Sequence, residues 1–134
     1  MKRTLLTLIA AVGLATVAHA AEPARMSKPP KAQRACFPAR SVNNFAAVDD
    51  QNLYVRVGVR DVYRLEMFGN CFDLSWVHSL ALVSRGGSFI CEGGLSGVDV
   101  VTRDAGPGLQ TCPVSSIRKL SPEEIAALPK KARP

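Results

Sequence analysis

Beyond its first 20 residues this chain holds one histidine, one tryptophan and no Cys-x-x-Cys pair. It also lacks any apolar run after Leu5–Val17, and aromatic residues make up only 6% of it. Each shortage excludes something. A Ser–His–Asp or Cys–His site would have to use His78 as its base, and no Gly-x-Ser-x-Gly or His-Glu-x-x-His motif accompanies it. Without a short cysteine spacing, a redox-active pair or a structural zinc site has no sequence support. No cofactor is implied. Charge of one sign is missing too: from Cys36 to Leu120 eight basic residues face eight acidic ones, so the formal +6 resides in the flanks. A nucleic-acid-binding domain concentrates positive charge on its folded face, and this one does not. At 134 residues the chain has one domain's worth of sequence, which excludes a multidomain enzyme.

What is present begins with a three-part leader. Met1-Lys2-Arg3 is a positive start, Leu5–Val17 is mainly apolar, and Ala18-His19-Ala20 supplies the small-x-small pattern of a signal peptidase site. The apolar run is too short for a hydrocarbon core, so residues 1–20 read as a signal peptide and not as a transmembrane segment. Cleavage is expected after Ala20, with a periplasmic or secreted product in an oxidising space. Residues 21–35 carry Pro23, Pro29, Pro30 and four cations without apolar periodicity, the composition of a disordered lead-in.

From Cys36 the pattern is that of strands. Residues 41–48 read as a first strand, closed by the turn-forming Asp49-Asp50-Gln51-Asn52. Leu53, Val55 and Val57 alternate with polar residues, and so do Tyr63, Leu65 and Met67. A short helical turn capped by Asp73 follows, carrying Leu74 and Val77 on one side. Leu80–Ser84 and Phe89–Cys91 flank Arg85-Gly86-Gly87-Ser88, which reads as a tight hairpin. Two more strands, 98–102 and 112–120, are separated by a turn at Asp104–Gly108. Ser121, Pro122 and Glu124 then form a capping box, with Leu120 and Ile125 as its hydrophobic staple, and Pro129 ends the helix. The expected fold is all-β: a small antiparallel barrel or sandwich of about six strands with a short C-terminal helix. One domain over 36–128 is expected, with 129–134 as a flexible tail.

Candidate chemistry is sparse. His78 and Trp76 lie beside the helical turn, and a small-ligand carrier would place Trp76, Tyr54 or Tyr63 at the barrel mouth. Asp49-Asp50 reads as turn chemistry, because adjacent strand residues point to opposite faces. Arg56, Arg60, Arg64 and Arg85 read as a mixed solvated face, since Asp61 and Glu66 lie among them. The four cysteines, Cys36, Cys71, Cys91 and Cys112, are expected to form two structural disulfides. Three pairings are open; Cys71–Cys91 with Cys36–Cys112 is preferred, because it ties the domain's first and last strands together.

The run Cys36-Phe37, Arg40, Asp49-Asp50, Leu53-Tyr54-Val55, Arg60, Tyr63, Leu65, Gly69-x-Cys71-x-x-Leu74, Cys91 and Cys112-Pro113-Val114-x-x-Ile117 resembles a family of small exported four-cysteine proteins of Gram-negative bacteria whose function is unknown. The resemblance implies an envelope location and paired cysteines, and it transfers no catalytic or binding residue. The resulting expectation is a monomeric, non-enzymatic binding or structural module of the envelope, its partner an envelope protein or a small ligand. The alternatives are a small hydrolase using His78 and the ligand carrier.

Overall fold

The computed structural model describes residues 33–103 and 108–134. The expected signal peptide, most of the expected lead-in and most of the turn at Asp104–Gly108 lie outside the described residues. Among the described residues there are nine strands: β1 (Cys36–Pro38), β2 (Val42–Ala47), β3 (Asn52–Val57), β4 (Asp61–Met67), β5 (Leu80–Ser84), β6 (Phe89–Cys91), β7 (Gly93–Gly94), β8 (Val98–Thr102) and β9 (Gln110–Lys119). One helix, α1 (Pro122–Ala127), follows them. Six strands build the main sheet in the order β2-β3-β4-β9-β8-β5, all neighbours antiparallel, and β7 joins it along β9. β1 and β6 make a separate two-stranded ribbon. The mostly β, antiparallel expectation is met, with the main sheet curled into a half-barrel.

Alternation decides the concave face. Leu53 lies opposite Leu65 and Val55 opposite Tyr63, while Leu65 lies opposite Ile117 and Val100 opposite Cys112. All of these are buried. Directly opposed residues share a face, so one apolar set lines the curl from β3 to β8. Phe37 of β1, Ile90 of β6, and Leu74 and Val77 around the 3₁₀ turn Leu74–Trp76 join that cluster. Phe37 packs on Tyr63 with ring centroids 4.4 Å apart. The Glu92 carboxylate fastens the ribbon at its side, accepting from Ala35 N at 3.0 Å and Lys119 N at 2.5 Å. Ala35, inside the stretch read as a loose lead-in, is thus tied to the ribbon.

The disulfides differ from the preferred pairing. Cys36 bonds Cys91 and Cys71 bonds Cys112. Cys36 and Cys91 are opposed in the β1–β6 ribbon. Phe68 N donates to Pro113 O at 2.9 Å, which steers the chain leaving β4 along the start of β9 and so brings Cys71 to Cys112. Strand partnership across the fold chose the pairs, and chain order did not reveal it.

Three local readings are corrected as well. Residues 80–91 form no hairpin, because β5 pairs with β8 and β6 with β1. Arg85 is held toward β8 by Asp99, with contacts of 2.7–2.9 Å, while the Cys36 bond draws Phe89–Cys91 the other way. Asp73 precedes its 3₁₀ turn in the left-handed region, at φ 56°, and its side chain caps nothing; main-chain bonds such as Trp76 N to Asp73 O close the turn. Residues 129–134 are no loose tail. Ala132 and Pro134 are buried, Arg56 donates to Pro134 O, and Arg133 donates to the carbonyls of Leu128 and Ala126. The 3₁₀ turn at Lys130–Ala132 contacts β2, and Val62, Leu120 and Ala132 are buried outside the main cluster. The capping box forms as read, with Ser121 Oγ accepting from Glu124 N and the Glu124 carboxylate accepting from Ser121 N.

The turn between β2 and β3 is closed by Asp49, which accepts from Gln51 N at 2.8 Å, from Asn52 N at 2.7 Å and from the Asn52 amide. Burial opposes its ionisation, but these donors, with Arg64 nearby, prevail and hold its pKa below the ordinary value of 3.8. A depressed carboxyl stabilises the fold above its unfolded pKa and loses that contribution as pH falls through the folded value. Asp49→Ala is expected to cost about 1 kcal/mol near neutral pH. Thermal melts should show the difference shrinking once pH drops below the normal carboxylate range.

Non-reducing peptide mapping should recover Cys36–Cys91 and Cys71–Cys112 fragments. Sequence separations of 55 and 41 correspond to about 4 kcal/mol per bridge taken singly, in the chain-entropy account. Full reduction should unfold the domain or lower its melting temperature substantially.

Candidate functional site

β2 and β5 end the main sheet, and neither has a second partner strand among the described residues. The curl brings these two edges toward each other without joining them. Between them lies a groove of about 420 Å³, lined by Ala39, Arg40, Asn43, Phe45, Leu80 and Leu82 among others. Its size is within the range of ligand clefts. Its floor is apolar: Val42, Phe45, Leu80 and Leu82 are half-buried and pack against the core from the concave side. Its walls are strand edges, whose outward N–H and C=O groups are a natural template for another extended chain. The 3₁₀ turn Ala39–Ser41 closes on β5, and the turn Leu74–Trp76 lies against β2.

The four aromatic and histidine candidates from the sequence are not brought together. Trp76 is 77% exposed on the turn beside β2, and His78, also exposed, leads through Ser79 into β5. That segment runs into Leu80, where the groove lining begins on β5. Tyr54, half-buried, lies opposite Arg64 and Ala46, on the face of the sheet away from Leu53 and Val55. Tyr63 is only 2% exposed, wedged between Phe37 and Lys119 Nζ, which stands 5.9 Å from its ring centre. Burial, opposed by Lys119 and reinforced by Asp61 and Glu92, lifts its phenol pKa above 10.0. Tyr63 and Tyr54 thus occupy opposite faces, which separates the two tyrosines of the expected carrier mouth.

Sequence reasoning missed the groove and its residues, Arg40, Phe45, Leu80 and Leu82. A signal did exist. Leu80–Ser84 is an uncharged run of four apolar residues and a serine without proline, although nothing local says that its outer edge stays unpaired. Three aromatics are also exposed together: Phe68, Phe72 and Trp76 are all more than 60% exposed on one stretch anchored by the Cys71–Cys112 bond. Among the described residues no group of three or more His, Cys, Asp or Glu side chains is placed to hold a metal ion. No helix among them is long and apolar enough to cross a membrane. Two disulfides fit an oxidising, extracytoplasmic compartment.

Compared with known proteins, residues 1–134 match one family model, described as a family of unknown function (DUF6491). No curated protein and no solved structure matches the chain.

Trp76 is the sole tryptophan, so fluorescence reads its surroundings directly. The folded protein should show the red-shifted emission of a water-exposed indole and near-complete acrylamide quenching, both changing little on denaturation. Blue-shifted, protected emission would place the ring elsewhere.

Proposed function

The chain belongs to this family of unknown function, and from that premise we propose that it is an exported, non-enzymatic binding module of the cell envelope. Its leader directs it to the periplasm or beyond, and the two bridges persist there. The observation that carries the reading is the open seam: a cross-linked half-barrel that stops short of closure, leaving an apolar groove walled by two strand edges. An unfilled seam is a liability in a protein with no use for it, since free edges promote aggregation. Here the surrounding scaffold is rigid, with the ribbon, the 3₁₀ turn and the α1 region all fastened to the sheet. A rigid frame around an open groove suits recognition, because little order has to be gained on binding.

The test is cross-linking in intact cells with a benzophenone amino acid placed in turn at Arg40, Val83 or Val59. Arg40 lines the groove and Val83 lies on β5, whereas Val59 is 85% exposed at the β3–β4 turn. The seam positions are expected to give one discrete adduct in the periplasmic fraction, and Val59 none. No adduct at either seam position, or the same adducts from all three sites, would remove the reading.

A further inference from the structure

The two edges that wall the groove are built differently. In the β5–β8 ladder Ser84 lies opposite Val98, and Arg85 N donates to Gly97 O at 2.9 Å. That bond sets the phase of the antiparallel pattern. Ala81, Val83 and Arg85 turn their main-chain groups to β8, while those of Leu80, Leu82 and Ser84 face the open side. The strand, Leu80–Ser84, has no charge, no proline and no bulge, and Ala81 and Val83 are exposed. Proteins normally blunt such an edge. β2 is blunted: its register slips between Val42 and Asn44, and the intervening Asn43 donates its side-chain amide to Gly58 O at 2.6 Å. Of the two edges β5 is the straighter template, without a bulge, and the 3₁₀ turn Ala39–Ser41 approaches it from the groove side.

Charge frames that template. Arg40 borders Leu80–Leu82 within the groove, and Arg103 borders Ser79–Ala81 in a smaller depression of about 210 Å³. Neither arginine forms an ion pair among the described residues. At the other end of β5, Arg85 is already neutralised by Asp99 at 2.7 Å. We propose that β5 receives an extended segment of a partner protein, added as an antiparallel strand, with an apolar alternating core and carboxylates that meet Arg40 and Arg103. The inference rests on the binding-module reading and adds the mode and the chemistry of the partner. A second copy is a poorer occupant. Antiparallel pairing about Leu82 would set the Arg103 end of one edge against the closed Arg85–Asp99 pair of the other, which offers Arg103 no free carboxylate.

The test uses the disulfide-bonded protein and a fluorescein-labelled peptide of alternating valine and threonine flanked by aspartates. The same core flanked by lysines is the comparison. Anisotropy should show the aspartate peptide binding about tenfold or more tighter than the lysine peptide, with the order inverted in the double variant Arg40→Glu, Arg103→Glu. Amide hydrogen exchange should slow at Leu80, Leu82 and Ser84 on binding, and not at Asn43–Phe45. Val83→Lys changes an exposed side chain and should abolish binding, and Leu82→Pro removes an outward N–H without cutting a bond to β8. Equal affinity for both peptides, no binding of either, or protection along β2 instead would overturn the proposal. A concentration-dependent dimer protecting the same amides without peptide would overturn it in favour of a second copy. If the peptide fails while the in-cell adduct at Arg40 and Val83 persists, strand addition is wrong and the binding module stands. If the adduct is missing as well, both fail.

Discussion

A six-stranded antiparallel sheet that curls without closing has a concave apolar face that its own strands cannot cover, and the rest of this molecule is organised around covering it. Leu53, Val55, Leu65, Ile117 and Val100 lie on that face and are fully or almost fully buried. Their cover comes from short pieces with little stability of their own: the three-residue strands β1 and β6 and a single 3₁₀ turn. Isolated two-stranded ribbons are marginal in water. Covalent bonds supply what length cannot. Cys36–Cys91 holds the ribbon together, and Cys71–Cys112 fastens the approach to the 3₁₀ turn onto the central strand β9.

The same economy explains the seam. The ribbon and the turn plug the interior of the curl, with Phe37, Ile90, Leu74 and Val77 in the shared cluster, but they do not bridge β2 to β5. A wider gap would expose the core to water, and full closure would leave no groove. The half-buried state of Phe45, Leu80 and Leu82 reflects that intermediate geometry. The convex side is finished separately. There Val62, Leu120 and Ala132 are buried, Leu120 N donates to Val62 O, the turn Lys130–Ala132 lies against β2, and Arg56 anchors Pro134. The margin between β2 and β5 is thereby left without a bridging strand among the described residues.

Much of the local structure was legible in residue order. The β2–β3–β4 meander follows from alternation at Leu53, Val55, Tyr63 and Leu65 and from turn residues at Asp49–Asn52. The capping box at Ser121 and Glu124 is a contact within four residues, so its geometry is dictated locally. Failures came where a distant partner overrode the local signal. The stretch 80–91 has every mark of a hairpin, yet Asp99 and Cys36 pull its halves to different strands. Residues 129–134 look like a charged tail, yet the surface formed by β2, β3 and the helix receives them.

By itself the sequence determined strand-forming segments, turn chemistry, the helix cap, the neutral core and the presence of enough cysteines for two bridges, because each depends on residues close along the chain. Tertiary structure alone decided which cysteines pair, which strands become edges and which side chains share the groove. Those outcomes depend on sheet order and register, and order is a matter of which distant strands bury each other's apolar faces. Arg40 and Leu80 are forty residues apart in the chain and line one groove because a curled sheet brings its first and last strands within reach.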